Sequence, residues 1–127
     1  GEMKDYVVTF VASIFRSIRF GASNAHAKAN LIRFNYFKEH GAIDRKSDGT
    51  YSVNFEKFDV AVEGLTKLIL QIQGDGDYDQ LDKLIKEKSV ISAELKSDLD
   101  KLSEANIPVD IIFHQGIGIL GLAPEAK

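Results

Sequence analysis

The residues with the clearest chemical potential follow Gly21, where one helix is predicted to end and the next to begin. Ser23 is the predicted N-cap of the second helix, which places His26 in its first turn. That turn carries free backbone N–H groups and the positive end of the helix dipole, so it favours a neutral imidazole. Such a ring can serve a substrate, or it can simply satisfy a local hydrogen bond.

A polar strip continues from this histidine along the second helix. The side chains that share this face by spacings of three and four are His26, Asn30, Arg33, Phe37 and His40. Arg16 and Arg19, near the end of the first helix, are expected to extend the strip. The strip is the best candidate site in the chain. On residue chemistry alone, a merely solvated face stays open as the alternative.

Other motifs predict no further chemistry. Residues 116–121 match GxGxxG after a predicted strand, but too little chain follows to supply the helix and acidic residue of a dinucleotide site. Residues 75–79 resemble the start of an EF-hand loop, yet Gln80 and Lys86 occupy the positions that need glycine and glutamate. These acids are expected to cap the fourth helix. The histidines His26, His40 and His114 are too dispersed for a metal site.

Composition limits the class of protein. The chain has 127 residues, a net charge of −3 and no cysteine, which predicts one globular domain without disulfides or thiolate metal sites. Its apolar runs fall short of the ~20 residues of a membrane span. We find no basic patch for nucleic acid and no signal peptide, so we expect neither a nucleic-acid nor a membrane partner, and a cytoplasmic location.

Apolar periodicity predicts a mainly α fold of about five helices. They cover residues 4–20, the stretch from the Ser23 cap to about His40, the stretch from the Asn54 cap to Gly74, residues 78–88, and residues 93–105 after a Ser92 cap. The stripes expected to be buried include Tyr6, Val7, Phe10, Val11, Ile14, Phe15 and Ile18 on the first helix, Phe58, Ala61, Val62, Leu65, Leu68, Ile69 and Ile72 on the third, Leu81, Leu84 and Ile85 on the fourth, and Leu95, Leu99 and Leu102 on the fifth.

A small β component is also expected. Residues 42–53 carry β-branched and aromatic residues around Ser47-Asp48-Gly49, which predicts a surface hairpin. Residues 109–113 follow Pro108 and are predicted to form a C-terminal strand. The predicted organisation is one domain over 1–127, with a helical core over about 4–105 and an extended segment over 107–127.

Several of these segments together resemble one known family. They are residues 17–30 (SIRFGASNAHAKAN), 33–37 (RFNYF), 48–51 (DGTY), 73–78 (QGDGDY) and 107–111 (IPVDI). In order and spacing they are similar to the C-terminal part of peptidase family M49, the dipeptidyl peptidases III, and especially to bacterial members. The resemblance covers nearly the whole chain.

The resemblance implies a two-lobed zinc exopeptidase that removes dipeptides from the N-terminus of oligopeptides, with this chain forming part of the helical lobe. His26 would match a cleft histidine that assists catalysis without binding metal, and Asn30 and Arg33 would contact substrate. Animal-type members have arginine where this chain has Asn30, so an ionic role there is in doubt. The family's zinc ligands, on an HExxxH helix and a later helix, are absent here. The resemblance thus implies zinc only in an intact, longer protein, and no activity for this piece alone.

The sequence leaves two alternatives open. The chain could be a stand-alone helical interaction module. It could also be the C-terminal domain of a Nudix or MutT-labelled fusion, because some family members carry an attached Nudix module, although no Nudix-type glutamate cluster occurs in these residues.

Overall fold

The computed structural model describes residues 1–109 and has the predicted mainly α architecture with one small hairpin. The elements are α1 (Glu2–Ile18), α2 (Ala25–Glu39), β1 (Ile43–Arg45), β2 (Tyr51–Val53), α3 (Phe55–Asp75), α4 (Tyr78–Lys88) and α5 (Ala93–Glu104). Within this range, no helix is long and apolar enough to cross a membrane.

Helix α2 lies at the centre of the fold. It contacts α1, α3, α4 and β1. Its side chains Leu31, Phe34 and Phe37 are at most 2% exposed and join Ile14 and Ile18 of α1 in one apolar core. Each such side chain contributes about 1.5–3 kcal/mol when removed from water. The core therefore holds α2, and with it the predicted polar strip, in one orientation.

The hairpin confirms the predicted turn. β1 and β2 pair antiparallel, with Ile43 opposite Val53 and Arg45 opposite Tyr51. In the turn, Asp48 Oδ1 accepts hydrogen bonds from the backbone N–H of Thr50 at 2.9 Å and from its hydroxyl at 2.6 Å. Gly49 has a φ of +84°, a conformation that a residue with a side chain rarely adopts.

Several helix ends differ from prediction by one or two residues, and α1 spans Glu2–Ile18 rather than residues 4–20. The N-cap of α2 is Asn24, not Ser23, because the Asn24 side chain reaches the backbone N–H of Ala27 at 2.8 Å. Helix α3 runs through Gly74 and ends before Gly76, whose φ of +63° provides the left-handed turn. The remaining side-chain caps agree with the sequence: Asn54, Asp77 and Ser92.

The predicted burial was wrong along one side of the helices. Five side chains from the predicted apolar stripes are at least 37% exposed: Tyr6, Phe10, Val62, Ile69 and Leu81. Helix α4 buries none of its residues. Periodicity identifies an apolar face but not what covers it, and residues 1–109 leave this face open.

The end of the described chain is held by α1. The guanidinium of Arg19 donates to the backbone carbonyls of Pro108 at 2.9 Å and Ile107 at 2.6 Å. The strand predicted for residues 109–113 falls beyond the described range except for its first residue, and His114 and the glycine-rich residues 116–121 lie outside it.

A buried carboxylate ties the hairpin to α5. Asp98 is 8% exposed and accepts hydrogen bonds from Arg45 Nε at 2.6 Å, Arg45 Nη2 at 2.9 Å and the Tyr51 hydroxyl at 2.7 Å. Lys101 Nζ approaches the same carboxylate at 3.4 Å. The hydrogen bonds from Arg45 hold the pKa of Asp98 well below its usual range, and burial raises the pKa of Tyr51.

Removing this carboxylate should destabilise the fold. We expect Asp98→Ala to lower the free energy of unfolding by about 2–3 kcal/mol, since it leaves the Arg45 guanidinium and the Tyr51 hydroxyl without their acceptor. Urea denaturation measures the change. Asp100→Ala on the same helix is the matched control, because Asp100 forms an exposed pair with Lys96 and its replacement should cost less than about 0.5 kcal/mol. Equal losses would contradict the structural role of Asp98.

The same carboxylate predicts a pH dependence. Because the pKa of Asp98 is lower in the folded than in the unfolded chain, its contribution is fully present above about pH 5 and declines as the pH falls below about 4. The free energy of unfolding of Asp98→Asn should therefore fall less steeply than that of the wild type below pH 4. Parallel acid titrations of stability for the two proteins would contradict this assignment.

Candidate functional site

His26 is the second residue of α2 and lies at an accessible helix N-terminus. The first turn buries Ala27, which is 2% exposed, and leaves His26 exposed. The Asn24 side chain occupies the N–H of Ala27, while other N–H groups of the first turn have no partner within the helix. The histidine therefore sits where the sequence predicts, at the positive end of the α2 dipole and open to a ligand.

Asn30 is one turn further along α2 and is fixed by two neighbours. Its amide Nδ2 donates to Ser17 Oγ of α1 at 2.6 Å, and its Oδ1 accepts from Arg33 Nη1 at 2.8 Å. Asn30 is partly buried, whereas Arg33 is exposed. Asn30 is therefore not simply a solvated side chain, because both the nitrogen and the oxygen of its amide are hydrogen-bonded to other protein groups.

Ser17 is the site residue that sequence reasoning missed. It belongs to residues 17–30, which carry the family resemblance, but no spacing rule pairs it with Asn30, which is 13 positions away on another helix. The pair forms because α1 packs along α2. The resulting series Ser17–Asn30–Arg33 sets the orientation of the Asn30 amide and of the arginine.

The rest of the predicted strip does not belong to the site. Phe37 is 2% exposed and packs in the core against Phe58, with ring centroids 5.2 Å apart. His40 stacks on Tyr36 at 4.0 Å, and its Nδ1 lies 2.8 Å from the Tyr36 carbonyl oxygen. The accessible strip thus runs from His26 to Arg33, a rise of about 10 Å along the helix axis.

Arg19, which follows α1, does not extend the strip as predicted, whereas an extension by Arg16 stays a prediction. Arg19 uses its guanidinium to hold the backbone of residues 107–108. Arg16 lies in the last turn of α1, where a cation interacts favourably with the helix dipole. The candidate site is therefore defined by His26, Asn30 and Arg33, with Ser17 as support.

Within residues 1–109, no three His, Asp or Glu side chains are grouped so that they could hold a metal ion. The described residues therefore do not fit a zinc site. The chemistry that the strip can perform is hydrogen-bond donation, from the His26 ring at one end to the Arg33 guanidinium at the other.

Comparisons with known proteins place this geometry in context. No protein-family model matches the chain. The chain is 44% identical over 104 residues to Nudix hydrolase 3 of Arabidopsis thaliana, covering 82% of this chain and 14% of that protein. It is similar to the structure of DPP III from Caldithrix abyssi, with a TM-score of 0.76 and 40% identity over 83% of this chain and 20% of that one.

A second solved structure agrees with the first. Dipeptidyl-peptidase III from Corallococcus sp. strain EGB has a TM-score of 0.77 and 35% identity, over 90% of this chain and 21% of that one. These matches confirm the resemblance in sequence and fold, so the chain is a dipeptidyl peptidase III-like helical segment. It spans between 14% and 21% of the lengths of the proteins it matches.

The cap that positions His26 can be tested directly. Asn24→Ala should lower the free energy of unfolding by about 1 kcal/mol, because it removes the acceptor for the N–H of Ala27. Ser23→Ala, at the adjacent position, is the control and should change stability by less than about 0.5 kcal/mol. Urea denaturation of both variants measures the change in the free energy of unfolding. A larger loss of unfolding free energy for Ser23→Ala than for Asn24→Ala would indicate that Ser23 is the cap, as the sequence predicted.

Proposed function

We propose that this chain forms part of the substrate cleft of a zinc-dependent, dipeptidyl peptidase III-like exopeptidase that releases N-terminal dipeptides from oligopeptides. The observation that supports this most is the accessible His26 at the start of α2, within the segment that carries the family resemblance. The similarity to two dipeptidyl peptidase III structures supports the same reading.

In this proposal His26 acts on the peptide carbonyl that is attacked. The imidazole N–H donates a hydrogen bond to that oxygen, and the bond strengthens as negative charge develops in the transition state. The free N–H groups of the first turn of α2 favour negative charge at the same place. A donor of this kind is worth about 3–4 kcal/mol in the barrier.

Asn30 and Arg33 would bind the substrate rather than react with it. Asn30 is neutral, but the Arg33 guanidinium donates to its Oδ1 at 2.8 Å and so places a positive charge one turn further along the helix. The second N–H of the Asn30 amide can bind a peptide carbonyl or carboxylate oxygen, and Arg33 contributes its positive charge through its hydrogen bond to Asn30. Positive charge in the strip is thus provided by Arg33, although position 30 itself carries none.

Zinc and its ligands would come from polypeptide outside this chain. When bound, the metal would supply Lewis-acid polarisation of the substrate and activation of water. The residues of this chain would bind, orient and stabilise the substrate, which is why we propose that the chain alone does not hydrolyse peptides.

The central test is His26→Ala in the intact protein that contains this chain. We expect kcat for a dipeptidyl-arylamide to fall about 100- to 1,000-fold, because a donor acting mainly in the transition state is lost. Zinc content and KM should change little. His40→Ala is the matched control, since His40 stacks on Tyr36 at the other end of α2 and should leave kcat unchanged. Unchanged turnover in His26→Ala would reject the role.

A fusion with a Nudix module is the second candidate, and it is favoured by the name of the plant protein with 44% identity. The coding sequence upstream of Met3 distinguishes the peptidase, the Nudix fusion and the stand-alone module. An HExxxH helix would support the peptidase, and a Nudix-type glutamate cluster in addition would support the fusion. A coding sequence with neither would favour the stand-alone interaction module.

A further inference from the structure

A long apolar groove runs between α1 and α3, with α2 as its floor. Its first part encloses about 420 Å³ and is lined by Tyr6, Phe10, Arg33, Phe58, Val62 and Ile69, among others. Ile69 also lines a second groove of about 360 Å³, which continues along α3 to Tyr78 and Leu84. From Phe58 to Ile72, the α3 wall is about 21 Å long.

The residues of this surface are of the types and spacing expected for a protein interior. Tyr6, Phe10, Val62, Ile69 and Leu81 occupy the core-facing stripes of their helices, yet the described chain leaves them 37–71% exposed. Contiguous exposed apolar surface of this kind marks an interaction site. The exposed stripes on α1, α3 and α4 therefore form one apolar face, which the described residues leave uncovered.

The shape and chemistry of the groove favour a helix as its occupant. The larger part of the groove is lined by apolar side chains apart from Tyr6, Arg33 and Thr66, and the Thr66 hydroxyl already donates to the carbonyl of Val62 at 2.7 Å. An extended peptide would leave backbone N–H and C=O groups unpaired there, whereas a helix pairs its own. An amphipathic helix laid between two helices is a common recognition mode.

The charge in the groove indicates which residue the helix carries. Arg33 is the charged side chain among the described residues that line the larger part, and its Nη1 donates a hydrogen bond to Asn30. A guanidinium at the edge of an apolar surface favours a carboxylate partner. A second copy of this chain fits poorly, because a symmetric pairing of this face would bring two Arg33 side chains into one apolar interface.

We propose that an amphipathic helix with a carboxylate facing Arg33 fills this groove, and that it belongs to the longer dipeptidyl peptidase III-like polypeptide. This inference rests on the proposed function for the source of the helix. Its length, about 14 residues, follows from the 21 Å wall. The match to 20–21% of two solved chains leaves ample polypeptide to provide it.

Two single cysteines test the proposal in a chain that has none of its own. Thr66→Cys lies in the groove, and Val60→Cys lies on the same helix outside it, where Val60 is 69% exposed. Each is made in the isolated chain and in a chimaera that carries this chain in place of the matching segment of the Caldithrix abyssi protein. Maleimide labelling rates are read by mass spectrometry of the modified peptides.

The expected result is selective protection. T66C should label at least tenfold more slowly in the chimaera than in the isolated chain, while the rate for V60C changes less than twofold. Equal T66C rates in the two proteins would overturn the proposal, and so would equal protection of both sites. Loss of T66C labelling with rising concentration of the isolated chain would instead identify a second copy and also overturn it. The same pair at the aligned positions of the Caldithrix abyssi protein provides the measurement if the chimaera does not fold.

A charge-reversal pair tests the carboxylate. Arg33→Glu in the T66C chimaera should raise the labelling rate at least threefold, because the two acidic groups repel, whereas Lys28→Glu on the same helix should not. Equal effects of Arg33→Glu and Lys28→Glu on the labelling rate would contradict a carboxylate facing Arg33 and overturn that part of the proposal. These readouts do not depend on peptide hydrolysis, so a failure of the His26 role and a failure of the groove assignment are distinguishable.

Discussion

The burial of α2 on several sides is the constraint on which the rest of the structure depends. Helix α2 contacts α1, α3, α4 and β1, and its side chains Leu31, Phe34 and Phe37 are almost fully removed from water. A helix held in this way cannot rotate without exposing aromatic surface. The positions of His26, Asn30 and Arg33 are therefore consequences of core packing, although none of the three belongs to the core.

The candidate site combines rigidity with accessibility. Asn30 is hydrogen-bonded across the α1–α2 interface, so its amide is oriented before any ligand binds. His26, by contrast, is exposed at a capped helix terminus, where backbone N–H groups remain available. In the function proposed above, a preorganised polar group beside an open donor would suit recognition of a developing charge, because little reorganisation would be needed.

Charged groups elsewhere in the chain serve the fold. Asp98 is buried, yet it accepts hydrogen bonds from Arg45 and Tyr51 and thereby attaches the hairpin to α5. Arg19 similarly holds backbone carbonyls at residues 107–108 against the end of α1. Asp98 and Arg19 are both occupied by contacts within the fold, so neither belongs to the candidate site.

Features that depend on near neighbours were determined by the sequence itself. The five helices, the caps at Asn54 and Ser92 and the turn at Gly49 follow from hydrogen bonds and side-chain periodicity within a few residues. His26 was identified for the same reason, since a helix start is a local property. The cap at Asn24, one position from the predicted residue, shows the limit of this reasoning: two adjacent polar side chains compete, and backbone geometry selects between them.

Pairs that are distant in sequence were decided only by the tertiary structure. Ser17 meets Asn30, Arg45 meets Asp98 and Arg19 meets the backbone of residues 107–108 across 13 to 89 positions, and no spacing rule relates such partners. The sequence also determined which helix faces are apolar, but not which of them the described chain covers. Burial depends on how whole helices pack, and that is why the groove between α1 and α3 became visible only in three dimensions.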